Sequence, residues 1–215
     1  MVPYQRLRTR ELKLPLDTHL VPLWLKLAYT AFVLVLVPVY WLRAAAGPRN
    51  FLWFSDLALF GGVAALWLES SLVASTMAVA VLIPELTWNV GFFARLLTGR
   101  SPVDLADYMF DPQERWYMRT LSLFHVFMPI VLVWLVARLG YDDRALVAAT
   151  ALAWIVLPLT YVLTHPRYNI NRVFGPGRTP QRRLHPLVWL GLLMAGMPLL
   201  SYFPAHLLLR ALFRN

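Results

Sequence analysis

The 215-residue chain contains no cysteine. That absence removes a disulfide framework, a thiolate nucleophile and any cysteine metal site. Charge is scarce as well. Only 14% of residues are Asp, Glu, Lys or Arg, against about 25% in soluble domains, while 59% are hydrophobic and the mean hydropathy is +0.57. No polar stretch is long enough for a separate soluble catalytic domain, so any chemistry must lie among helices or in the loops at their ends. Negative charge is the scarcer sign: eleven acids face eighteen Arg and two Lys, a net +9. In so apolar a chain, loop arginines meet anionic lipid headgroups. Membrane lipids are therefore the expected partners, and nucleic acid is rejected.

What is abundant is long apolar sequence. A helix needs about 20 mostly apolar residues to cross the hydrocarbon core. Six windows qualify, at 24–42, 50–69, 72–97, 117–138, 143–163 and 186–211. The predicted fold is all-α: a polytopic membrane helical bundle, one integral membrane domain over 1–215, with six transmembrane helices. The basic leader ahead of the first window ends too far from Ala44-x-Ala46, with Arg43 intervening, to be a cleaved signal peptide, so the first window is an uncleaved span. The two sides of a six-span topology carry nine and eleven basic residues, a split too even for the positive-inside rule. The basic leader alone favours cytoplasmic termini.

Four links carry their own signals. Glu69-Ser70-Ser71 is so short that the second and third spans are antiparallel neighbours. "SPVDLADYMFD" predicts a short interfacial helix near 101–111, with Ser101 as cap, Pro102 in its first turn and Asp104 three residues after the cap. Leu105, Tyr108 and Met109 share its apolar face. Asp104, Asp107 and Asp111 share another. Gly140 ends the fourth span, and Asp142 or Asp143 caps the fifth. "HPRYNINRVFGPGRTPQRRLHP" has five arginines, no acid and the Pro and Gly content of a loop.

Ionisable residues inside spans are costly and usually face the bundle interior. Asp56 in the second span, Glu85 and Asn89 in the third and His125 in the fourth are the candidates. Glu85 follows Pro84, which should kink the third helix near Val81. Asn89 lies at i+4 from Glu85, on the same face. Asp56 also suits the positive end of a helix dipole, and Ser55 is a hydroxyl beside it. In "THPRYNINR", His165, Arg167, Asn169, Asn171 and Arg172 offer donors to a phosphate or carboxylate, a candidate substrate headgroup clamp. His206 is an outlying polar residue. His125, His206, Asp56 and Glu85 lack metal-ligand spacing, so no metal and no cofactor is expected.

"NFLWFSDLALF", "LPELTWNVGFFARLLTG", "YMFDP", "SLFHVFMP", "RLGYD", "NINRVFGPG" and "YFPAHLLLR" together resemble a group of bacterial six-span "membrane-associated" proteins over nearly the whole chain. That resemblance implies the bacterial inner (cytoplasmic) membrane, and no activity. "FLWFSDLAL" and "FHVFMP" are also distantly similar to the androgen-induced hydrolases of animals, six-span enzymes that cleave fatty-acid esters of hydroxy fatty acids with an intramembrane threonine and histidine. That resemblance places the histidine at His125 and an aspartate at Asp56. The threonine position falls on Trp53, which is no nucleophile.

Three functions compete. One is a lipid-processing hydrolase or acyltransferase, with His125 as general base oriented by Asp56 or Glu85, acting on Ser55 or water, Asn89 donating to an oxyanion, and Arg167 and Arg172 holding an anionic head. The second is a non-catalytic partner of another membrane protein, its polar residues acting as interhelical glue. The third is a proton- or cation-coupled transporter relaying through Asp56, Glu85 and His125.

Overall fold

A computed structural model describes residues 20–214, and among them every regular element is helical. The basic leader lies mostly outside the described residues. The helices are α1 (Leu23–Arg43), α2 (Phe54–Leu68), α3 (Ser71–Thr98), α4 (Trp116–Ser122), α5 (Phe124–Leu139), α6 (Ala145–Leu163), α7 (Pro186–Gly196) and α8 (Phe203–Phe213). Taking α4 with α5 and α7 with α8, five segments are long and apolar enough to cross a membrane. α2 is the sixth, shorter apolar helix. The fold is a helical membrane bundle.

α3 is its hub, packing against α2, α5, α6 and the last span. Small residues permit that. Ala74 and Ala78 on α3, and Ala145, Ala149 and Ala153 on α6, are essentially fully buried. At spacings of four they line single faces on which backbones approach closely, the usual interface of helices in lipid. Gly62 serves α1 in the same way: a Cβ there would lie 2.5 Å from the Tyr29 hydroxyl.

The elements depart from the expected windows at four places. The second window was expected from residue 50, but Gly47–Leu52 is a 3-10 turn and the α-helix begins only at Phe54. The fourth is broken at Leu123, where α4 ends and α5 begins. The last contains a π-helical stretch, Met197–Tyr202. The short helix near 101–111 starts at Asp104 and is 3-10 wound. Ser101 does not cap it, because its hydroxyl donates to the Val103 carbonyl. The apolar face of this short helix is packed on the protein: Ala106 and Met109 are buried against Trp88, with Tyr108 and Phe110 alongside. At the other end of the bundle Gly140 terminates α5 as expected, but neither Asp142 nor Asp143 caps α6: Arg144 is the residue ahead of its first turn, and Asp142 accepts from the Arg144 amide in the turn before the helix.

Prolines lie inside α1, α3, α5 and α6, each within a continuous helix. A proline lacks the N–H that would bond the carbonyl four residues earlier, and lipid offers no substitute. Two of the carbonyls freed by prolines have visible partners. Pro129 frees the carbonyl of His125, and Asn89 donates to it from α3 at 2.7 Å. Pro198, in the π-helical stretch, frees that of Met194, and the Trp154 indole donates to it from α6 at 3.0 Å.

Candidate functional site

His125 is the second residue of α5, just after the Leu123 break, and Glu85 lies mid-way along α3. The α3–α5 packing brings them together: His125 Nδ1 and Glu85 Oε2 are 2.8 Å apart. The Glu85 side chain is 4% exposed and that of His125 13%. With Glu85 accepting as a carboxylate, Nδ1 carries the hydrogen and the Nε2 lone pair is left free. Two rings fix the imidazole plane: Trp88 stacks on it at 4.6 Å and Phe124 at 4.2 Å.

Asn89 holds the backbone beneath this pair. Its amide donates to the Glu85 carbonyl at 2.8 Å and to the His125 carbonyl at 2.7 Å. Both amide hydrogens are thus committed to the backbone. Asn89 is a positioning residue in this geometry.

Asp56 lies in the first turn of α2, 2% exposed. Asn50, on the preceding 3-10 turn, donates to its Oδ2 at 3.4 Å, while Oδ1 is buried without a partner. The Asp56 and Glu85 carboxyls lie close enough to interact electrostatically. Ser55 is half-buried on the adjacent face of α2, and no hydrogen bond joins it to His125 among the described residues. Trp53, at the threonine position of the resemblance, is the extended residue that starts α2.

The 164–185 link closes the same end of the bundle. Asn169, Asn171 and Arg172 all have positive φ, a conformation Asn tolerates far better than most residues. Asn169 donates to the Gly175 and Gly177 carbonyls and accepts from the Phe174 amide. Asn171 accepts from Phe54 N at 3.0 Å and donates to Leu52 O at 2.7 Å, so it caps the irregular start of α2 from across the chain. Arg172 pairs with Asp104 at 3.0 Å. Of the expected headgroup clamp, His165 and Arg167 are exposed, His165 accepting from the Arg167 amide and the Arg167 guanidinium lying over the Tyr168 ring. Asp107 accepts from Arg95 at 2.7 Å and lies 3.6 Å from Arg178. Burial pushes its carboxyl up, but the Arg95 hydrogen bond and the two guanidinium charges outweigh that and hold it below the usual range. These pairs tie the arginine-rich link and the acidic short helix to α3.

Three hydroxyls that the sequence did not mark as functional complete the polar interior. Ser122, at the end of α4, lies 3.0 Å from the Tyr40 hydroxyl, and Tyr108 lies beside it. Among the described residues no cluster of three His, Cys, Asp or Glu is arranged to hold a metal ion. His206 lies elsewhere, 2.6 Å from the Tyr141 hydroxyl. The chain matches no family model, no curated protein and no solved structure.

Proposed function

We propose that the protein is an intramembrane lipid-processing enzyme in which His125 is the general base and Glu85 its orienting partner. The observation that supports this best is the 2.8 Å contact between His125 Nδ1 and Glu85. A carboxylate on one nitrogen of a ring leaves the other as a base of fixed direction. The resemblance to the androgen-induced hydrolases points the same way. Trp53 stands at the threonine position and Ser55 has no hydrogen bond to His125, so water is the nucleophile. The water oxygen bonds to the ester carbonyl carbon and its proton passes to His125 Nε2. The carbon–oxygen bond then breaks, and that proton goes to the departing alkoxide. The products are a fatty acid and an alcohol. The bacterial cytoplasmic membrane, cytoplasmic termini and membrane-lipid substrates belong to the same proposal.

One observation favours a second function. Asn89 spends one hydrogen on joining α3 to α5 through the His125 carbonyl and the other on its own helix, interhelical glue of the kind a non-catalytic scaffold of membrane proteins would require. Lipidomics of a deletion strain complemented with wild type or His125→Ala separates the two. Esters that accumulate in the deletion and in His125→Ala alike support the enzyme. Identical lipid profiles in all strains overturn it. Loss of co-purifying membrane proteins in the deletion, restored by His125→Ala, supports the scaffold.

A further inference from the structure

A groove of about 370 Å³ runs between the last turns of α1 and the first turn of α4, lined by Pro38, Val39, Leu42, Arg43 and Tyr117. On α1 the lining residues pair at spacings of four, Pro38 with Leu42 and Val39 with Arg43, so they form one face that ends in a guanidinium. Pro38 and Leu42 are exposed, which opens the groove sideways to lipid. The Arg43 side chain is exposed too, with no hydrogen bond or ion pair among the described residues. Across the groove the Tyr117 hydroxyl accepts from Arg115 at 2.6 Å, which brings a second guanidinium to the same mouth. The nearest acid in sequence, Glu114, accepts from the Arg115 amide. Trp41 and Trp116, 55% and 77% exposed, stand at the same ends of α1 and α4. Exposed tryptophans mark the headgroup level of a bilayer. The charged mouth therefore lies at the depth of lipid phosphates, and the apolar floor runs inward from it.

We propose that this groove binds an anionic glycerophospholipid, its phosphate held between Arg43 and Arg115 and one acyl chain lying along Pro38, Val39 and Leu42. Charge complementarity selects the occupant. Guanidinium forks match phosphate oxygens, whereas a zwitterionic lipid brings a cation of its own to two arginines. No lining residue belongs to the His125–Glu85 pair, so the site is separate from the proposed catalysis and does not depend on it. Tyr40, beside Val39 but facing inward, meets Ser122 of α4 at 3.0 Å. The bound head thus joins from outside the same two helices that this contact joins from within.

The test uses full-length protein in a non-ionic detergent, titrated with dioleoylphosphatidylglycerol or dioleoylphosphatidylcholine while the thermal unfolding midpoint is followed. A ligand of the folded form raises that midpoint. Each variant is referred to its own midpoint without lipid, so a general loss of stability drops out. Wild type should show a saturable rise with the anionic lipid and none with the zwitterionic one. The half-saturating lipid fraction should increase about 5-fold in Arg43→Gln and in Arg115→Gln. Leu42→Trp, which fills the groove from an exposed position, should abolish the saturable rise with both arginines in place. Arg183→Gln, at an exposed arginine of the 164–185 link, should titrate as wild type. Arg43→Gln titrating as wild type overturns the site. An equal loss in Arg183→Gln overturns it as well, because the attraction would then belong to the whole basic surface. A rise of the same size with phosphatidylcholine, or with inorganic phosphate alone, also overturns it, the first by removing the anionic head and the second by removing the acyl groove.

Discussion

The link between Pro129, His125 and Asn89 can be tested by restoring what the proline removed. In Pro129→Ala, the new amide at position 129 can bond the His125 carbonyl within α5, so that carbonyl no longer depends on Asn89. In the native sequence, Asn89→Leu leaves a buried carbonyl without a partner, a loss of about 1–3 kcal/mol. Interhelical side-chain bonds in membrane proteins average about 0.6 kcal/mol and reach about 1.7, and the 2.7 Å Asn89 contact belongs towards the upper end. Asn89→Leu should therefore cost about 1–2 kcal/mol with Pro129 present and less than half of that in the Pro129→Ala background. The coupling energy in a double-mutant cycle is then about 1 kcal/mol. Reversible unfolding in mixed micelles, followed by tryptophan fluorescence, measures all four proteins. An Asn89→Leu cost that is the same in both backgrounds would refute the reasoning, because Asn89 would then not be replacing the missing amide.

Removing the Asn171 side chain with Asn171→Ala strands Phe54 N and Leu52 O. It should cost about 1–3 kcal/mol and speed hydrogen exchange at the first turn of α2, while α6 exchanges as before. Gly62→Ala brings a methyl group into the Tyr29 phenol and should lower stability by about 1–3 kcal/mol. Tyr29→Phe in the same background recovers part of that, as read by thermal unfolding. Glu69 is held down at about 2 from 4.5, first by the Lys26 hydrogen bond and then by the Leu20 amide. Its folded form is the better acid, so its contribution is complete above about pH 4.5 and disappears as the pH falls towards 2. Glu69→Gln should flatten the stability profile across that window.

The membrane spans were legible because apolar length is a strong signal. Their interruptions were not. Nothing in "TLSLFHV" marks Leu123 as a break, since the segment has neither glycine nor proline. The late start of α2 was hidden by an apolar stretch, Phe51 to Phe54, that suits a helix equally well. The polar quartet was visible residue by residue, yet only the α3–α5 packing pairs His125 with Glu85 and not with Asp56. Asn169 and Asn171 looked like donors awaiting a ligand because their turn conformation depends on Phe54, Leu52 and Gly177, residues distant along the chain or across a Pro-Gly turn. Trp88 was passed over for the opposite reason. An aromatic residue in an apolar helix looks like ordinary packing, and the sequence does not show that its ring stacks on His125.

The prolines facing Asn89 and Trp154 have a consequence for register. Smooth apolar helices in lipid can slide and rotate against one another at little cost, because most of their contacts are interchangeable. A carbonyl that only one side chain can reach removes that freedom. A slip of one residue moves it by about 1.5 Å and turns it by about 100°, and the bond is lost. Asn89 therefore acts as an index pin for α5, and the pin engages at the residue whose side chain has most to lose, since the same turn would swing the His125 ring away from Glu85 and towards the acyl chains.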